Sequence, residues 1–186
     1  MTGPTAGILT GYSVSGAGDV NGDEYADIIV CADLESSVDT YNGACYLFLG
    51  SPALPSTLEA GVDEYTKWIG TEQGVRLGAS LDVADFNGDG TADVIMGADG
   101  GGGLDGLSTY IGSAFIFYSP LQSGLVNMTD ADAQLEGENR YDYAGSSVGS
   151  GDFNGDGIDD VSVGAPYYDT SRTDAGRDYI FYGQGF

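Results

Sequence analysis

The chain has no histidine and only 5 lysines and arginines, against 29 aspartates and glutamates. Losing histidine removes the commonest general base of enzymes. No P-loop stands in for it. A formal charge of −24 turns away nucleic acid and anionic membrane surfaces, which carry the same sign. No apolar run approaches the roughly 18 residues that cross a bilayer, so no membrane insertion is expected of this segment. The start, MTGPTAGILTGYS, lacks the basic and apolar regions of a secretion signal and reads as a piece of a longer chain. Proline is scarce at 5 residues, and cysteine occurs only twice.

Glycine, by contrast, occurs 32 times without the period of collagen, as many tight turns between short strands require. With 41% hydrophobic and 11% aromatic residues, the chain has the material of a folded core under an acidic surface. Divalent cations are the obvious means of neutralising that acidity. The phrase DFNGDG occurs at 85–90 and 152–157, and DVNGDE at 19–24. Asp19, Asp85 and Asp152 open the phrases, 66 and then 67 residues apart, which marks internal repeats. Upstream stand GYSV (11–14), GASL (78–81) and GSSV (145–148). Downstream come ADIIVCAD (26–33), ADVIMGAD (92–99) and DDVSVGAP (159–166). GACYLFLGSP (43–52), GSAFIFYSP (112–120) and GRDYIFYGQ (176–184) complete the set.

These blocks read as β-strands, being short, aromatic and β-branched runs bounded by glycine, serine and proline. DIIVCA and DVIMGA are nearly continuous apolar runs, as for strands buried on both faces. TKWIG (66–70) and AQLEG (133–137) fit a fourth strand, each glycine eight residues before that of the next Gly-x-Ser block. Four strands per unit of about 66 residues is the content of a propeller blade. The expected fold is therefore all-β: one propeller segment over 1–186, with units near 3–70, 71–137 and 138–186. The third unit stops before its fourth strand. Closed propellers have roughly 4–8 blades, so the segment is expected to be completed by more of its parent chain or by another copy.

Within each phrase, oxygen-bearing side chains fall at positions 1, 3, 5 and 9. They are Asp19, Asn21, Asp23 and Asp27; Asp85, Asn87, Asp89 and Asp93; and Asp152, Asn154, Asp156 and Asp160. Position 7 (Tyr25, Thr91, Ile158) has only a backbone carbonyl in common. Calcium takes about 6–8 hard oxygens, which alternate positions of a curled loop supply, and glycine at position 6 allows the bend. An EF-hand is excluded, since position 12 holds Val30, Met96 and Val163 in place of glutamate and the flanks read as strands. The competing reading is a set of plain Asx turns and β-turns. About three structural Ca²⁺ ions are expected, taking the formal charge from −24 to about −18. The first loop departs from the others: Glu24 replaces the glycine, and one extra residue precedes Asp19.

The order GxSV/L, DxNxDGxxD, GAP and GxxYxF resembles the FG-GAP repeats of integrin α-subunit β-propellers, over nearly the whole chain. The FG itself is Thr10-Gly11, Leu77-Gly78 and Ala144-Gly145, and GAP is complete only at 164–166. The resemblance is thus to a divergent member. It implies that first strands line the central channel and that the acidic loops occupy one rim. A protein or glycan ligand would then sit on the opposite rim, on loops 33–43, 99–112 and 166–177. YYDTSRTDAGRDY (167–179), with Arg172 and Arg177, is the better contact candidate there, and the glycine-rich DGGGGLDGLSTYIG (99–112) the plainer loop.

Cys31 and Cys45 fall on neighbouring strands of one unit, where Gly97 with Ala114 and Gly164 with Asp178 stand in the others. A disulfide closing the 33–43 loop is one reading, two buried thiols the other. A bridge would place the protein in an oxidising, extracellular or cell-surface setting. NMT (127–129) is an acceptor sequon for glycosylation of Asn127. The leading expectation is a non-enzymatic, calcium-stabilised adhesion, protein-interaction or assembly module. The alternative is a propeller part of a secreted or surface hydrolase acting on lipid or polysaccharide.

Overall fold

A computed structural model describes residues 2–3, 7–36, 40–100, 110–169 and 173–183. The apolar runs become strands that pair into three separate sheets. β1 (Ser13–Gly18), β2 (Asp27–Ala32), β3 (Ala44–Phe48) and β4 (Thr66–Ile69) form the first, in chain order and antiparallel. β5 (Leu77–Ala84), β6 (Asp93–Ala98) and β7 (Ser113–Phe117) begin the second, and β9 (Ala133–Glu136) completes it. The third has β10 (Ser147–Gly151), β11 (Asp160–Ala165) and β12 (Arg177–Phe181). The expected fourth strands at 66–70 and 133–137 are β4 and β9. This is the content of two four-stranded blades and one of three strands, an all-β partial propeller.

One strand was not foreseen. β8 (Gly124–Asn127) leaves the second unit and pairs in parallel with β4 at the outer edge of the first sheet. The sequence pattern places no strand there. The same crossing recurs at the chain start, where Thr2 pairs in parallel with Glu59. In both units the link from third to fourth strand thus makes a parallel contact with an earlier segment of the chain. A 3-10 turn, Met128–Asp130, is the only helical stretch among the described residues, and no helix is long and apolar enough to cross a membrane.

Because successive side chains in a strand point to opposite faces, a strand inside the stack must be apolar on both. Ile29, Cys31, Cys45, Leu47 and Trp68 face the second sheet and meet Val94, Met96, Ala98, Phe115 and Phe117. The other face of the second sheet, with Ile95, Ala114 and Ile116, meets Val161, Val163 and Ala165 of the third. Val30, Ala44, Tyr46 and Phe48, on the outward face of the first sheet, are covered by Ile8 and Ala60. β5 lies between β1 and β10, so the first strands of the three sheets are neighbours. The Ser13 hydroxyl donates to the Gly78 carbonyl at 2.8 Å, and the Ser80 hydroxyl to that of Gly145, also at 2.8 Å. The repeated Gly-x-Ser pattern is therefore a junction, each serine reaching the glycine of the next unit.

Candidate functional site

The acidic loops join first to second strands at one end of the stack, and all three fold alike. In the second, Asp85 Oδ1 accepts from the N–H groups of Gly88 (2.7 Å) and Asp89 (3.1 Å), and Oδ2 from that of Gly90 (2.8 Å). Asn87 Oδ1 accepts from the Asp89 N–H, the Asn87 amide donates to Asp89 Oδ2, and Asp89 Oδ1 accepts from the Thr91 N–H. Asp19, Asn21 and Asp23 repeat this pattern toward Gly22, Glu24 and Tyr25. Asp152, Asn154 and Asp156 repeat it toward Gly155, Gly157 and Ile158. The departures in the first loop are absorbed locally. Its extra residue becomes a bulge at buried Ala17, and Glu24 takes the left-handed backbone (φ 73°) that Gly90 and Gly157 take in the others (86° and 91°).

Position 9 differs in kind. Asp27, Asp93 and Asp160 are buried, and each ties its loop to the end of a third strand. Asp27 accepts from the N–H groups of Val20 and Gly50, Asp93 from Phe86 and Ser119, and Asp160 from Phe153, Asn154 and Gly183. Burial pushes Asp93 up to about 6, with the like charges of Asp89 and Asp85 adding to it against the two N–H donors. At the exposed positions the balance reverses. The Glu24 N–H, with those of Asp23 and Gly22, holds Asp19 below the ordinary carboxylate range, and the Thr91 hydroxyl and N–H do so for Asp89.

The donor chemistry fits calcium: every side-chain ligand candidate is a hard oxygen, and the carboxylates of one loop crowd one another. None of the five basic residues falls within 19–27, 85–93 or 152–160 to offset them. As the loops stand, however, these oxygens are turned onto their own backbone as Asx turns. Among the described residues, no three acidic side chains are grouped as an ion would need.

At the opposite end lie the connections 33–43, 70–76, 99–112, 137–146 and 166–176. Residues 37–39, 101–109 and 170–172, which include most of the glycine-rich loop and Arg172, are outside the described residues. Cys31 and Cys45 are directly paired across β2 and β3 and form a disulfide, so the two-thiol reading is set aside. Gly78 packs on it with φ 88°, and a Cβ there would lie 2.6 Å from Cys45 Sγ. Three basic residues on this rim are matched: Arg76 pairs with Asp33 (2.6 Å) and Asp99 (3.0 Å), Lys67 with Glu35 (2.6 Å), and Arg177 with Glu138 (3.0 Å), whereas exposed Arg140 makes no ion pair among the described residues. The Arg177 guanidinium also lies 3.7 Å from the centre of the Tyr168 ring. This candidate contact residue is thus already occupied within the chain.

Sequence reasoning missed a group of tyrosines here. Tyr110 stacks on Tyr143 (ring centres 5.2 Å apart) and on Tyr141 (6.1 Å), and Tyr143 meets Tyr167 edge-on (5.3 Å). The signal was present in the parallel wording TYNG (40–43) and TYIG (109–112).

The FG-GAP repeat family matches residues 10–48, 77–117 and 144–181, one match per sheet. Integrin alpha-PS5 of Drosophila melanogaster is 32% identical over 173 residues, which are 88% of this chain and 16% of that protein. Phosphatidylinositol-glycan-specific phospholipase D of Mus musculus is 33% identical over 165 residues, 88% of this chain and 19% of that protein. The Dictyostelium discoideum protein of the same name is 34% identical over 167 residues, 83% of this chain and 16% of that protein. The chain spans less than a fifth of each relative. With three matched repeats on three like sheets, the chain belongs to the FG-GAP repeat family, as a divergent member.

Proposed function

We propose that this chain is a calcium-stabilised, non-enzymatic propeller segment of an extracellular or cell-surface protein, serving adhesion, protein interaction or assembly. One observation carries the calcium reading: a single arrangement of acidic and amide oxygens, written three times without a basic residue among them. The side chains of Asp19, Asn21, Asp23 and Asp27 would hold one ion, with the carbonyl of Tyr25. Asp85, Asn87, Asp89 and Asp93 with Thr91, and Asp152, Asn154, Asp156 and Asp160 with Ile158, would hold two more. The metal would supply positive charge at loops whose carboxylates otherwise repel one another. The ligand, a protein or glycan, is assigned to the rim that carries the matched ion pairs and the tyrosines. Calorimetric titration of the metal-free chain with CaCl₂ tests the reading, beside the same titration of a Asp85→Ala/Asp152→Ala variant. Saturable heat in the first and its reduction in the second are expected; a flat titration of the unaltered chain overturns it.

A second reading rests on the phospholipase D relatives, which match as closely as the integrin chain does. Here the segment is the propeller of a secreted or surface hydrolase acting on lipid or polysaccharide. The coding sequence on either side separates the two. A membrane span or further propeller supports adhesion, and an adjoining hydrolase domain supports the second reading.

A further inference from the structure

Five tyrosines make a strip across the rim opposite the acidic loops: Tyr41, Tyr110, Tyr141, Tyr143 and Tyr167. They come from all three units and meet through ring contacts of 5.2–6.1 Å among the last four. Tyr41 and Tyr110 share an open cleft of about 250 Å³ with Gln73 and Gly74. The rings are not core material. Tyr141 is 60% exposed, Tyr41 and Tyr167 52% each, and Tyr110 36%.

Four of the five also sit in left-handed backbone, with φ of 56° at Tyr41, 50° at Tyr110, 68° at Tyr141 and 55° at Tyr143. Such a conformation in a bulky residue costs of order 1 kcal/mol or more and collects where a surface is being held in shape for use. The fold asks for the bend but not for the tyrosine. Leu9 and Arg76 occupy the place of Tyr143 in the other units, at φ 57° each. An aromatic ring at these positions is therefore a choice of surface rather than a requirement of the backbone.

The chemistry around the strip narrows the ligand. The basic side chains Lys67, Arg76 and Arg177 are each committed to a carboxylate, so exposed Arg140, beside Tyr141, is the one described basic side chain on this rim left for an anionic ligand, too few for the repeated charges of a polyanion. The chain as a whole, at −24, repels polyanions, which excludes sulfated and uronic-acid-rich polymers. Protein interfaces centre on a desolvated apolar core. Tyrosine serves there too, but these flat rings, each with a hydroxyl at the tip, stand exposed beside a small cleft and not around an apolar core. The cleft, slightly below the roughly 300–1,000 Å³ of sites for drug-sized ligands, suits a unit as small as one sugar ring.

We propose that the tyrosine strip binds a neutral oligosaccharide, the C–H faces of its pyranose rings lying on Tyr41, Tyr141 and Tyr167. The sugar hydroxyls meet the tyrosine hydroxyls and the Gln73 side chain. This rests on the assignment above of this rim as the ligand face and goes beyond it in naming the ligand class. The test is a binding screen of the whole chain, with calcium present, against neutral gluco-, manno-, galacto- and xylo-oligosaccharides. Sulfated and uronic-acid oligosaccharides and a peptide library serve as comparison arms. The strongest neutral binder is then titrated against Tyr41→Ala, Tyr141→Ala and the ring-retaining Tyr141→Phe, with exposed Tyr182→Ala on the other rim as control. The proposal expects a neutral oligosaccharide to be retained and each alanine variant to weaken it about tenfold or more. Tyr141→Phe and Tyr182→Ala should stay within about threefold of the unaltered chain. Retention of no neutral oligosaccharide overturns the proposal, as does retention that the two alanine variants leave unchanged. A peptide captured instead, and lost in the same variants, also overturns it while upholding the rim as a ligand face.

Discussion

Asp93 carries two duties that pull in opposite directions. Its buried carboxylate accepts from Phe86 and Ser119 and so stitches the second acidic loop to the end of β7. Replacing it by alanine leaves two buried donors unpaired, and Asp93→Ala is expected to cost about 2–4 kcal/mol in denaturant unfolding. Its charge works against the fold. The folded pKa of about 6 stands above the ordinary 3.8, so ionisation is less favourable in the folded state. In the metal-free chain this residue's contribution is therefore fully present below roughly pH 4 and is lost as pH rises through about 6. Melting curves of the chelated chain and of Asp93→Asn should accordingly diverge across that interval, the unaltered chain losing more stability toward neutral pH. Parallel profiles would remove the burial argument. A bound cation reverses the sign, because it needs the ionised form. The rise in Tm given by calcium should then shrink as pH falls below about 6.

At the scale of elements, the junctions between sheets decide what can change. Gly78 is left-handed and pressed onto the Cys31–Cys45 disulfide, where a methyl group has no room. Gly78→Ala is expected to lower stability by about 2 kcal/mol or more, through backbone strain and overpacking together. Removing the disulfide by Cys31→Ser/Cys45→Ser should cost about 3 kcal/mol, on the loop-entropy account of a 14-residue separation. Equilibrium urea unfolding checks both. The strands were legible because each is a short apolar run fenced by glycines and acidic loops. The cysteines were legible as neighbours because their unit could be laid over two others that lack them, but not that they are bonded. β8 was not. Four residues reading GLVN carry no pattern that names a parallel partner in another unit; only the packing of two sheets brings β4 within reach. The bulge at Ala17 was visible as one extra residue, but not that the loop beyond it would keep its shape. The tyrosine strip escaped notice because its members are scattered over separate connections and meet only when the sheets stack.

Over the whole molecule, charge and apolar surface are both segregated. Acidic loops without a base occupy one end, and matched pairs and tyrosines the other. The two outward faces of the stack also differ. On the first sheet, Val14 is 59% and Ile28 38% exposed, where their equivalents in later units pack against the preceding sheet. On the third, Ser162 donates to Asp178 at 2.8 Å, where the earlier units carry isoleucine with cysteine or alanine. The exposed pair lies on the face that a neighbouring sheet covers in the later units. A second copy docking head to tail would bury Asp178, whose partner is a hydroxyl and not a cation, against it, which is unfavourable for a charge. Light scattering is thus expected to give a monomer, and a dimer that strengthens with concentration would contradict this.

The central claim is that the acidic phrases are calcium staples and not turns alone. Differential scanning calorimetry of the metal-stripped chain, with and without saturating CaCl₂ at neutral pH, tests it most directly when paired with a count of bound ions. The account predicts about three ions per chain and a clear rise in Tm that a chelator reverses. Superimposable melts with no bound calcium would contradict it, leaving the three loops as Asx turns that hold their shape unaided.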